Sequence, residues 1–191
     1  MHNELVEFIN NKVAGANATT VAVEAGDASI TVDGAKLFQV CEALKNEKGF
    51  KVLEVVGGTD FKDYIEVAYV IATFDPANSQ ELILKIKLDR NAPEVESVCK
   101  LWNSANFLER ETYDMMGVIF KNHPDLRRIL CPEDWTGFPL RKDYVVQEVY
   151  NGMVVNPEHK MNIPDREFAA KQKAAEKAAT GTTTAAQTPV Q

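Results

Sequence analysis

Basic charge is in short supply. The 191-residue chain carries 21 Lys and Arg against 28 Asp and Glu, a formal net charge of −7. Nucleic-acid binding needs a basic stripe, so that class is excluded, and direct binding to anionic lipid is disfavoured. Cysteine is scarce too. Cys41, Cys99 and Cys131 stand alone with no CxxC pair, and the three histidines are scattered. That pattern excludes a zinc knuckle, an iron–sulfur ligand set and a disulfide framework, and it fits a reducing compartment. No apolar run approaches the length of a membrane span. No GxGxxG, Walker loop or nucleophile elbow occurs. The opening "MHNELVEFINN" has neither a signal-peptide core nor the Arg-rich character of a presequence, so no targeting segment is expected there.

What the chain does have is periodicity. Leu5, Phe8, Ile9 and Val13 predict a short amphipathic helix. "TTVAVEAGDASITVDG" reads as a hairpin turning at Gly26-Asp27. Leu37, Val40, Cys41 and Leu44 predict a core-facing helix that Gly49 ends. Three strands follow in "FKVLEVVGG", "YIEVAYVIATF" and "ELILKIKLD", linked at Gly57-Gly58-Thr59-Asp60 and at Asp75-Pro76-Ala77-Asn78. In the last strand Leu82, Leu84, Ile86 and Leu88 share the inner face. Val95, Val98, Cys99 and Trp102 predict one more helix after Pro93. The pattern gives an α+β fold: an antiparallel or mixed sheet with helices packed on one face, a ferredoxin-like variant, followed by an extended C-terminal arm. The expected division is an α+β domain over 1–130, an arm over 131–165 and a low-complexity, disordered tail over 166–191.

The stretch "ERETYDMMG" at 109–117 puts three carboxylates and an arginine on one short helix. Asn106 caps it in this reading, with Glu109 in a capping-box position, and Gly117 ends it. Leu108, Met115 and Ile119 then mark the inner face. Glu111 falls on that face, while Glu109, Arg110 and Asp114 point outward. A carboxylate aimed at a core needs a cation or several donors. Arg127 and Arg128, on opposite faces of a strand expected at Leu126–Cys131, are the candidates, and the pattern leaves open which one serves. The expected role is a structural clamp made by Glu109, Arg110, Glu111, Asp114, Arg127 and Arg128. A competing reading is a free-standing acid/base enzyme using Glu111, Asp114 and His123. A di-metal carboxylate site is excluded because no E-x-x-H pair is present. The arm that follows carries Trp135, Phe138, Arg141, Lys142, Asp143 and Tyr144. These include residue types enriched at interfaces, so the arm is read as a partner surface, the alternative being a loop folded back over this chain's own core.

"ERETYDMMGVIFKNHPDLRRILCPEDWTGFPLRKDY" closely resembles the signature of the 30 kDa subunit family of respiratory complex I, known in bacteria as the C subunit of NADH-quinone oxidoreductase. The likeness runs through Glu109, Arg110, Glu111, Asp114 and Gly117, the His123-Pro124 pair, Arg127 and Arg128, and on to Asp143 and Tyr144. It departs at Met116, Phe138 and Val145, where phenylalanine, histidine and proline are common. The resemblance implies a non-catalytic α+β subunit of the peripheral arm, holding no flavin, cluster, metal or quinone of its own. It implies packing against the large D subunit, which forms much of the quinone cavity, and against neighbouring peripheral-arm subunits. It also implies a peripheral place on the cytoplasmic side of the bacterial inner membrane, associated through the complex alone. The same subunit type in an energy-converting hydrogenase, or in a complex with another electron input, is the alternative.

Overall fold

The computed structural model describes residues 2–21, 28–75 and 79–155. The described part divides into two units, one ending at Tyr144 and one beginning at Val145. The domain boundary expected at residue 130 therefore moves: residues 131–144 cluster with the first unit. The turn at Gly26-Asp27, the 76–78 link, and the arm and tail beyond 155 lie outside the described residues.

The first unit opens with helix α1 (His2–Lys12), which buries Leu5 and Ile9. Strands β1 (Thr19–Val21) and β2 (Ser29–Thr31) pair antiparallel as the expected hairpin. A single 3-10 turn leads into α2 (Leu37–Lys48), which buries Leu37, Val40, Cys41, Ala43 and Leu44. Gly49 ends α2 at φ 79°, a left-handed conformation that glycine adopts without a Cβ clash. Strands β3 (Phe50–Asp60), β4 (Tyr64–Thr73) and β5 (Glu81–Asp89) form an antiparallel meander. β2 joins β5 in parallel, so the sheet is mixed, in the order β1-β2-β5-β4-β3.

Alternation decides which face is covered. Ile65, Val67, Tyr69 and Ile71 of β4, with Leu82, Leu84, Ile86 and Leu88 of β5, are buried under the helices. Each buried aliphatic side chain of this kind stabilises the fold by about 1.5–3 kcal/mol. The opposite face is half wet and carries the Lys85–Glu66 ion pair at 3.1 Å.

Two elements differ from the sequence expectation. Gly57-Gly58 is not a turn; both residues lie inside β3, which runs on to Asp60. A Cβ on Gly58 would stand 2.9 Å from Met116 Cγ, so the missing side chain is what lets a helix press onto the strand. Residues 93–102 form no helix. Glu94–Glu96 is a short strand, β6, paired in parallel with β7 (Ile119–Lys121). Its inward residue, Val95, is buried together with Val98 and Trp102, so the apolar spacing that mimics a helix is met by a strand and the turns after it.

Between β6 and β7 lies α3 (Ala105–Met116). The Ser104 hydroxyl, just before it, and the Thr112 hydroxyl donate to the main-chain carbonyls of Leu53 and Val56 in β3, both at 3.1 Å. In the second unit, β8 (Val149–Tyr150) and β9 (Met153–Val154) form a small antiparallel hairpin around Asn151-Gly152.

Candidate functional site

The charged helix α3 is turned about its axis relative to the sequence expectation. Its inner stripe is Ala105, Glu109, Thr112 and Met116, all buried. Leu108 and Met115 sit at the margins, half-buried, and Ile119 is exposed. Glu111 is exposed, and the charge stranded in the core is Glu109 instead. The hydrophobic wheel misleads because two of the four inner positions are polar. The Asn106 capping box is also absent: the helix starts at Ala105 after Ser104, and no side chain caps it. Gly117 ends α3 as expected, at φ 73°.

Glu109 is fully buried and is held by donors, not by an arginine. The Ser97 hydroxyl donates to Oε2 at 2.6 Å, the Val98 N–H donates to Oε1 at 2.8 Å, and the Cys99 thiol lies 3.4 Å from Oε2. The carboxylate thus pins the turn after β6 to α3. Burial pushes the Glu109 carboxyl above its ordinary range, against the pull of these donors. His123 Nε2 stands 3.9 Å from Oε2.

Cys99, Glu109 and His123 are the one group among the described residues whose ligand atoms approach within 4.8 Å. Their lone pairs are already committed. The Asp125 N–H donates to His123 Nδ1 at 3.0 Å, so the proton of the neutral ring sits on Nε2, which faces the Asn106 carbonyl at 3.2 Å. A metal on Nε2 would move that proton to Nδ1, against the Asp125 N–H. Burial pushes His123 below its ordinary value, consistent with a neutral ring, and pushes the Cys99 thiol up to about 11. The chemistry of this donor set fits a packed polar core better than a metal or a nucleophile. The nearby Tyr69 hydroxyl is buried and has no partner among the described residues.

Asp114 is the second buried carboxylate, and its surroundings differ. Oδ2 accepts three consecutive main-chain N–H groups, from Ile129 (3.0 Å), Leu130 (2.7 Å) and Cys131 (2.8 Å). Oδ1 accepts from Arg128 Nη1 at 2.6 Å. Burial alone would raise the Asp114 carboxyl, but the three N–H groups and the guanidinium outweigh it and hold it below its ordinary value. Residues 126–131 are therefore not the expected strand. They are an irregular strap whose amides converge on one oxygen. Of the two candidate arginines, Arg128 enters the clamp, while exposed Arg127 pairs with Asp125 at 2.8 Å. Arg110 secures the strap from α3 by donating to the carbonyls of Arg127 (3.1 Å) and Arg128 (3.5 Å).

The last four carbonyls of α3 are all occupied. Gly117 N–H donates to Tyr113, Arg128 to Asp114, Leu140 N–H to Met115, and Arg141 Nε to Met116. Two cations thus sit at the negative end of the helix dipole. Phe138 lies between them, 5.2 Å from the Arg128 guanidinium and 5.0 Å from that of Arg141. A Cβ on Gly117 would stand 2.5 Å from the Phe138 ring.

A third buried carboxylate, Asp60, carries no signal in the sequence. It receives Arg90 through two bonds, of 2.8 and 2.9 Å, and the Lys142 N–H at 2.8 Å. The Arg90 bonds are the chief reason its carboxyl falls to about 2. Arg90 also reaches Asp143 at 3.1 Å. Asp60 and Arg90 are 30 residues apart, and only the β3–β4–β5 register brings them together.

The arm residues fold back on their own chain in these contacts. Trp135 Nε1 donates to the Tyr144 hydroxyl at 3.0 Å, Phe138 packs edge-on to Tyr113, and Arg141, Lys142 and Asp143 are engaged as described. The competing acid/base trio is not assembled as a solvent-facing site: Glu111 is exposed, Asp114 is saturated and His123 Nδ1 is taken.

The family described as the 30 kDa subunit of respiratory-chain NADH dehydrogenase matches residues 30–150. The chain is 44% identical over 109 residues to the C subunit of NADH-quinone oxidoreductase from Chloroherpeton thalassium; the match takes in 56% of this chain and 44% of that one, so it spans less than half of the relative. It is 45% identical over 116 residues to the C subunit of F(420)H(2) dehydrogenase from Methanosarcina mazei, covering 59% of this chain and 72% of that one. Among solved structures it resembles the trypsin-resistant fragment (1–134) of Nqo5, with TM-score 0.54 and 25% identity, over 66% of this chain and all of that one.

Proposed function

The chain belongs to the 30 kDa subunit family of respiratory-chain NADH dehydrogenase, and from that premise we propose that it is a scaffold subunit of a membrane-associated NADH:quinone oxidoreductase. In this reading the subunit carries no chemistry. Flavin, iron–sulfur clusters and quinone are held by partner subunits, and the chain packs against the large D subunit at the quinone site. Its place is peripheral, on the cytoplasmic side of the bacterial inner membrane. Among the described residues no helix is long and apolar enough to cross a membrane, in keeping with attachment through the complex.

One observation carries the reading. Asp60, Glu109 and Asp114, the buried carboxylates among the described residues, are all spent on fixing main-chain segments: Lys142, Val98 and the 129–131 strap. Acids placed this way hold main-chain segments in position, which is the work of a scaffold. The test is to purify the assembly from solubilised membranes and to measure complex content and NADH:quinone turnover separately. The expected result is co-purification with flavin-, cluster- and quinone-site subunits, with Asp114→Asn lowering content but not turnover per complex. Normal content with abolished turnover would make Asp114 part of the reaction path and overturn the scaffold reading.

A second reading keeps the scaffold but changes the electron donor. It is favoured by the likeness to the F(420)H(2) dehydrogenase subunit of Methanosarcina mazei. Identifying the input subunit in the same preparation separates the two.

A further inference from the structure

Trp135, Phe138, Arg141 and Tyr144 of the 135–144 arm make contacts within the chain, and a second set of side chains, not named by the sequence pattern, lies around α3 beside them. Among the exposed large apolar side chains around α3 are Phe107 (65%), Leu130 (61%), Leu140 (59%) and Ile129 (36%). The contacts already described place them together. Phe107 is on the outer side of α3, two turns before Asp114, and its ring lies 5.9 Å from the Arg110 guanidinium. Arg110 is bonded to the Arg127 and Arg128 carbonyls, and the strap running on from there carries Ile129 and Leu130, whose amides sit on Asp114. Leu140 is tied to Met115 at the C-terminal end of the same helix. The backbone positions thus follow the helix from its first turn to its end, about 12 Å at 1.5 Å per residue.

We propose that this outer side of α3 with its strap is a docking face for a different protein subunit, one that presents an apolar depression rimmed by lysine or arginine. The proposal rests on the scaffold reading above and deepens it by naming the face and the chemistry of the partner. The charge pattern selects the occupant. Arg110, Arg128 and Arg141 point their guanidinium groups at carbonyls and at Phe138, so these cations are turned inward, and Arg127, the exposed cation of the strap, is paired with Asp125 at 2.8 Å. Glu111, on the same helix as Phe107, and Glu133, just past the strap, are exposed carboxylates. The apolar members therefore have an acidic border. A second copy of a chain with net charge −7 would bring the same border and be repelled, whereas a cationic rim is attracted. A cluster of large apolar side chains on a unit with a complete core elsewhere is the pattern of an interaction site.

The test uses the complex assembled in membranes, with a photo-crosslinking amino acid in place of Phe107 or Leu130, and at Val55 as an exposed control on β3. The expected result is capture of one other subunit from positions 107 and 130 and none from 55. Capture of a second copy, of this chain's own 156–191 segment, or of nothing, overturns the proposal. The sign of the rim is read from a pair of variants. Leu130→Lys should lower complex content about tenfold, and Leu130→Glu clearly less, because only lysine meets like charge. Equal losses, or the reverse order, overturn the cationic rim. If the unsubstituted chain co-purifies with other subunits while 107 and 130 capture none of them, this face is wrong and the scaffold reading stands. If it co-purifies with no other subunit, both fail.

Discussion

Glu109 and Asp114 are five residues apart on one helix, equally inaccessible to solvent, and they are stabilised by opposite means. Glu109 relies on neutral donors, a hydroxyl and an amide, and its carboxyl is pushed up. Asp114 has a guanidinium and three amides, and its carboxyl is pulled down. The difference follows from where each segment comes from. Glu109 faces the core, where the turn after β6 supplies only two donors and a thiol. Asp114 lies on the helix side that would meet water, and a strap containing an arginine is laid over it. Depth alone does not set the state of a buried acid; the number and charge of its donors do.

The comparison breaks first at Asp114. Asp114→Asn removes the partner of Arg128 and sets an amide nitrogen against donors, so it should cost about 3–5 kcal/mol, as breaking buried pairs does. Urea unfolding measures the loss, and protease cutting within 128–131 should report the freed strap. Gly117→Ala comes next. The left-handed backbone costs about 1–2 kcal/mol for a residue with a Cβ, and contact with the Phe138 ring adds to it. Adding Phe138→Ala should recover the contact part but not the backbone part, which a double-mutant cycle reads directly.

Glu109→Gln should be milder, about 1 kcal/mol, because the amide keeps the Val98 bond and removes a desolvated charge. Its signature is in pH. Glu109 has a raised folded value, so its contribution is full below the ordinary 4.5 and is lost as pH rises through the folded value. Asp114 has a lowered value, so its contribution is full above the ordinary 3.8 and is lost as pH falls through the folded value. Stability profiles of the two variants should therefore flatten on opposite sides: Glu109→Gln loses the decline toward neutral pH, and Asp114→Asn loses the acid limb. Flattening on the same side would refute the contrast. The smallest effect belongs to Glu111→Ala, which should change stability by no more than about 0.5 kcal/mol.

Glu111 also shows what sequence reading can and cannot reach. The meander was legible because Leu82, Leu84, Ile86 and Leu88 alternate strictly, and α2 because its stripe is wholly apolar and ends at Gly49. The charge density of the stretch holding Glu109, Arg110, Asp114 and Arg128 pointed to a network of buried polar contacts, and Asp114 and Arg128 do meet at 2.6 Å. Which carboxylate goes inside was not. A wheel weighted by hydrophobicity follows Leu108 and Met115, and it cannot count the Ser97 hydroxyl or the strap amides that offset the burial of Glu109 and Asp114. Thr112, flanked at matching spacing by Glu109 and Met116, was the one hint of the true stripe. Asp60 and Arg90 left no local signal, because their pairing is a product of strand register.

The two hydroxyls sent to β3 from Ser104 and Thr112 bear on how the molecule avoids sticking to itself. A long outermost strand is normally a template on which a stray strand can pair, extending the sheet from one molecule into the next. Here the Leu53 and Val56 carbonyls are already satisfied by Ser104 and Thr112, and the close seat of α3 at Gly58 crowds the approach. Thr112→Val would keep the shape but leave the Val56 carbonyl open. Along β3, two of the carbonyls a stray strand would need are thus engaged by the same helix whose far side carries the proposed docking face.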